Sequence, residues 1–104
     1  MRNQLRHIVI LKFNQSATKT QIAQIEQEFN ALASKIPQVL DLEWGTNVSP
    51  EKLSKGFTHC FLLTFKDNAD LDAYLVHPEH QKFVDSLSPL AEEVFVIDFN
   101  SDQV

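Results

Sequence analysis

Apolar and polar positions along the chain follow two rhythms. The run His7-Ile8-Val9-Ile10-Leu11-Lys12-Phe13 is compact and β-branched, which predicts a strand buried on both faces for most of its length. Asn14 to Ala17 reads as a turn, and Thr18-Lys19-Thr20-Gln21 then matches a capping box. Ile22, Ile25, Phe29, Leu32, Ala33 and Ile36 recur at helical spacing until Pro37 ends the run. From Val39 to Val48 the rhythm shortens to two, with Leu40, Leu42 and Trp44 alternating with Asp41 and Glu43. Ser49 to Gly56 is a polar loop, and Phe57 to Lys66 is a third strand rich in aromatic and branched residues. A second helix starts near Asp67-Asn68 and sets Leu71, Tyr74 and Leu75 on one side. Pro78 interrupts it, a further helical segment carries Phe83, Val84 and Leu87, and Val94 to Phe99 forms the fourth strand.

The order β-α-β-β-α-β over residues 1–104 makes one α+β domain, a ferredoxin-like antiparallel sheet with helices on one face. The first and third strands are expected to be its central, adjacent and parallel pair. They share a pattern, His-x-Val-x-Leu-x-Phe at 7–13 and His-x-Phe-x-Leu-x-Phe at 59–65. Alternation puts His7, Val9, Leu11, Phe13, His59, Phe61, Leu63 and Phe65 beneath the helices. The opposite face then carries Ile8, Ile10, Cys60 and Leu62, and is apolar as well. Leaving several hundred Å² of such surface wet, at about 25 cal/mol per Å², is unfavourable by many kcal/mol. A chain of 104 residues has no second layer to offer. A homodimer pairing sheet against sheet, a dimeric α/β barrel, is the expected remedy. A partly exposed sheet or a different partner is the alternative.

Charge and composition narrow the classes further. A net charge of −5, with lysines scattered rather than striped, argues against a nucleic-acid partner. The two glycines form no phosphate-binding loop, and no nucleophile elbow or Cys-x-x-Cys motif is present. No apolar run is long enough for a signal peptide or a membrane span. Cys60 has no partner in the chain, so a reducing, cytoplasmic setting is expected. No cofactor is implied.

The candidate chemistry lies in the histidines. Parallel neighbours would set His7 and His59 about 4.8 Å apart. Tyr74, on the inward side of the second helix, and His80, beyond the Pro78 break, are expected to join them. Val9, Leu11, Phe61 and Leu63 lie beside this group, and together they would line a pocket for a small, partly apolar ligand. The competing reading is structural. Pro78 suits the first position of a new helix, with His77 as its cap, and each histidine could be a hydrogen-bonded core residue. The histidine spacing matches no zinc signature.

Taken as a set, His7 to Phe13, Trp44-Gly45-Thr46-Asn47, Gly56-Phe57-Thr58-His59 and Tyr74-Leu75-Val76-His77-Pro78-Glu79-His80 resemble the stress-response dimeric α/β-barrel (Dabb) family. The resemblance spans nearly the whole chain and implies a homodimer whose two sheets face each other. Family members of polyketide-cyclase type use this fold for an intramolecular aldol condensation. Carried over by position, His80 would be the general base and Tyr74 would hold it or stabilise the enolate. His7 and His59 would orient the substrate. Three functions stay open: a ligand-binding homodimer, a lyase or cyclase, and a stress-associated structural protein whose histidines only pack.

Overall fold

The computed structural model describes residues 4–101. Its elements are β1 (Leu5–Phe13), α1 (Lys19–Lys35), β2 (Asp41–Thr46), β3 (His59–Phe65), α2 (Asn68–Leu75), α3 (Pro78–Leu87) and β4 (Ala91–Asn100). The capping box forms as the sequence requires. Gln21 N–H donates to the Thr18 hydroxyl at 3.1 Å, and Thr18 N–H donates to Gln21 Oε1 at 2.9 Å. These bonds satisfy donors that the first turn of α1 would otherwise leave unpaired. Asp67 caps α2 in the same way, accepting from Asp70 N–H at 3.0 Å. No helix among the described residues is long and apolar enough to cross a membrane.

The strands form one sheet in the order β2-β3-β1-β4, with every neighbouring pair antiparallel. The expected parallel pairing of the first and third strands is therefore corrected. The α1 crossover returns β2 in the direction of β1, and the β2–β3 hairpin then reverses the chain. β3 slots between them running the other way. In this register His7 faces Leu63, and His59 faces Leu11. The two histidines share a sheet face but sit four residues apart along the strands, about 13 Å at 3.3 Å per residue.

The expected face assignment holds. Val9, Leu11, Phe61, Leu63 and Phe65 are buried beneath α1 and the α2–α3 pair with Ile25, Phe29, Leu32, Leu71 and Phe83. Phe29 stacks on Phe61 with ring centroids 4.0 Å apart and meets Phe83 at 4.7 Å. The edge strand β4 differs from the rest. Phe95, Ile97 and Phe99 on the open face are 49%, 48% and 43% exposed. Val94 and Val96, which register beside Leu11 and Val9 on the helix face, are 49% and 45% exposed. The helices cover β1 and β3 and stop short of β4, so this strand is apolar on both sides and covered on neither.

Candidate functional site

The corner between α2 and α3 is built by Pro78 and its neighbours. Proline has no N–H to offer a helix and a fixed φ, which suits the first position of α3. His77 precedes it as the cap, its Nδ1 accepting from Glu79 N–H at 3.0 Å. That interaction gives His77 a structural task. The same turn brings His80 back over Tyr74, with ring centroids 4.6 Å apart.

Three of the four expected groups converge here. Tyr74 is 1% exposed and packs against Phe65 at 5.0 Å and edge-on to His7 at 6.0 Å. Its hydroxyl bonds to no described residue. Beneath it, His7 Nδ1 donates to Asp98 Oδ1 at 2.6 Å, since an ionised carboxylate can only accept. On the other side, His80 Nδ1 donates to the Leu75 carbonyl at 3.1 Å. The neutral His80 imidazole is thereby held with its proton on Nδ1, which leaves the lone pair on Nε2.

Burial tunes the cluster. The Tyr74 phenol is pushed far above its ordinary range, because a phenolate would be desolvated there. It stays a proton donor at any physiological pH. The His80 imidazole lies below its ordinary value of 6.5, chiefly through desolvation. The Leu75 carbonyl works against this by favouring the protonated ring, and nearby His7 adds a small further depression. His80 is thus neutral near pH 7 and able to accept a proton.

The depression of His80 carries a stability signature. Below its ordinary value of 6.5 the unfolded chain takes up a proton that the folded ring resists. The stability associated with neutral His80 is intact above that value and declines as pH falls through it. Urea midpoints measured at about pH 7.5 and about pH 5 should drop more for the native chain than for His80→Gln. An equal drop in both would show that His80 is not the group responsible.

His59 does not join this cluster. At the far end of β3, its Nε2 donates to Glu26 Oε2 at 2.7 Å and its Nδ1 engages the Thr58 hydroxyl at 2.7 Å. Both ring nitrogens are committed, so the expected convergence of His7 and His59 is corrected. Val9, Leu11, Phe61 and Leu63, expected to wall a ligand pocket, are packed side chains of the core. Two grooves lie elsewhere. One of about 620 Å³ opens on the uncovered sheet face, among Ile10, Leu62, Phe95 and the β2–β3 loop residues Leu53 and Phe57. Another of about 500 Å³ runs between α1 and Trp44. No group of three or more His, Cys, Asp or Glu among the described residues is placed to hold a metal ion.

Asp98 and Glu26, the two carboxylates that fix the histidines, were given no role by the sequence pattern. Each left a trace. Asp98 is the one charge in the run Val94 to Phe99, and Glu26 lies at i+4 from Ile22 and three before Phe29, on the edge of the apolar stripe.

The sequence profile of the stress responsive A/B barrel domain family matches residues 5–101. Olivetolic acid cyclase of Cannabis sativa is 27% identical over 95 residues, covering 91% of this chain and 94% of that protein. Among solved structures, the hydroxynitrile lyase of Passiflora edulis superposes with a TM-score of 0.92 at 26% identity, over 100% of this chain and 98% of that one. A dimeric ferredoxin-like protein of unknown function from Jannaschia sp. CCS1 is 30% identical, with a TM-score of 0.81 over 93% and 98% of the two chains.

Proposed function

Because this chain belongs to the stress responsive A/B barrel (Dabb) family, we propose that it is a homodimeric lyase or cyclase whose reaction turns on one proton moved beside a carbonyl carbon. The observation that carries the reading is the contact of buried Tyr74 with two imidazoles, edge-on to His7 at 6.0 Å and tilted against His80 at 4.6 Å. His80 Nε2 is the general base. Tyr74 keeps its proton and donates a hydrogen bond to the oxygen on which negative charge develops. His7 orients the substrate, and Asp98 is a positioning residue that fixes the His7 ring through its Nδ1.

The two named relatives frame the substrate class. A cyclase closes a carbon–carbon bond and a hydroxynitrile lyase opens one, in both cases at a carbonyl or its adduct. In the opening direction His80 takes the hydroxyl proton, the carbon–cyanide bond breaks, and cyanide leaves with the electron pair to be protonated. In the closing direction His80 takes a C–H proton and the resulting enolate attacks a second carbonyl, whose oxygen Tyr74 stabilises.

The test is turnover by the native chain of an aromatic cyanohydrin, read as cyanide release, and of a linear poly-β-keto thioester, read as ring closure. The rate for at least one should exceed background and fall as pH drops below the ordinary imidazole range. Background rates for both substrates at every pH would overturn the proposal.

Support for the homodimer comes from three directions. Four strands leave two free edges, whereas about eight are needed to close the barrel in the family's description. The open face is apolar, from Ile8, Ile10 and Leu62 to Phe95, Ile97 and Phe99. The Jannaschia relative is described as dimeric.

A further inference from the structure

The groove beside Trp44 stands apart from the acid–base cluster, at the other end of the helix-covered face. Its floor is flat. The Trp44 indole lies within 10° of the planes of His59 and Phe61, at centroid distances of 6.0 and 5.4 Å. Trp44 is nonetheless 40% exposed, because α1 does not close over it. The helix presents Ala23 and Ala31 to the groove, whose methyl groups leave about 500 Å³ between wall and floor.

The polar groups on that wall are Glu26, Gln27 and Asn30, and two of them are held still. Buried His59, itself anchored by the Thr58 hydroxyl, donates to Glu26 Oε2 at 2.7 Å. Asn30 Nδ2 donates to the Glu26 backbone carbonyl at 2.8 Å, which commits its amide nitrogen and leaves Oδ1 as an acceptor. A fixed carboxylate and a fixed carbonyl beside an aromatic plane reduce the ordering entropy lost on binding.

We propose that this groove binds a ring bearing hydroxyl groups, with one apolar face on Trp44 and its hydroxyls donating to Glu26 Oε1 and Asn30 Oδ1. The aromatic floor recognises the ring, and the carboxylate makes the stronger, charge-assisted hydrogen bond. An anionic ligand is disfavoured by Glu26. A quaternary ammonium is a poorer fit, since one aromatic floor is not the multi-walled cage that such cations favour. The shared chemistry covers a sugar ring and a phenol, and two probes separate them.

Trp44 is the chain's one tryptophan, so intrinsic emission reports this groove without a label. Methyl β-glucoside or resorcinol should change that emission saturably, and whichever does so names the source of the ring. Glu26→Gln should weaken the response about tenfold or more. Ala23→Leu, on the outer helix surface, should fill the groove and abolish it with helicity unchanged. His80→Ala should leave it untouched, which keeps this site distinct from the proposed acid–base reaction. Three outcomes overturn the proposal: no response to either ring, an affinity indifferent to Glu26→Gln and Ala23→Leu, or preferential binding of choline.

Discussion

Replacing His80 with alanine should lower turnover of whichever carbonyl-forming or ring-closing substrate the native chain accepts by about 10²–10⁴-fold, the range a positioned acid–base group contributes. The loss should appear in kcat, because the base acts on the bound substrate rather than holding it. The fold should survive. His80 is half-buried, and the Leu75 carbonyl it engages also accepts from Gln81 Nε2 at 2.9 Å. Removing the imidazole therefore leaves that oxygen satisfied. Circular dichroism and urea midpoints near neutral pH should stay close to those of the native chain. A variant that turns over normally, or one that fails to fold, would assign His80 to structure and remove the base from the proposed reaction.

Tyr74→Phe separates the two roles in that cluster. It keeps the ring that packs against Phe65 and His7 and deletes the hydroxyl. Comparison with His80→Ala then distinguishes loss of the proton donor from loss of the base.

Much of the fold was legible because local and global patterns agree. Thr18 and Gln21 flank an apolar stripe of period 3.6, and the capping box forms where it was read. The same holds for the alternation that buries Val9, Leu11, Phe61 and Leu63 and for the proline that divides α2 from α3. Strand direction was not legible in this way. Residues 7–13 and 59–65 bury the same alternate positions whether the strands run together or opposed, so His-x-Val-x-Leu-x-Phe carries no information on sense. Connectivity does: a helix crossover preserves direction and a hairpin reverses it. That one reversal moves His59 to the far end of the sheet, beside Glu26.

The carboxylate partners escaped for a related reason. Pairings between Asp98 and His7, or Glu26 and His59, span 91 and 33 residues and join different elements. No local spacing encodes them. The sequence sets Asp98 among apolar residues and Glu26 at the edge of the α1 stripe, and that pattern alone cannot say which of four histidines answers either. The Pro78 corner shows the reverse case. His77 and His80 are close in sequence, and local turn geometry suffices to make one a cap and the other a neighbour of Tyr74.

Ile97→Glu should convert a dimer into a species of 11.9 kDa, the mass of one chain, in sedimentation velocity. Ile97 lies on the open face beside Ile8, between Phe95 and Phe99, and is 48% exposed in the single chain. A glutamate there reaches water in the separated subunit, so the fold itself is little affected. In a sheet-to-sheet pair the same carboxylate would be trapped against apolar side chains without a partner, at a cost of several kcal/mol. A two-fold interface places the substitution in both subunits, so each association buries two such charges. The expected loss of affinity is about 10³-fold or more, since every 1.4 kcal/mol is a factor of ten. Ile97 is a cleaner probe than Ile10, which is already half-buried by its own chain and could unfold the subunit when charged. Glu93, on the same face and already charged, supplies the control: Glu93→Gln should leave the dimer intact. A native chain that sediments as a single subunit, or an Ile97→Glu variant that remains paired, would place the interface elsewhere and leave the open face without its cover.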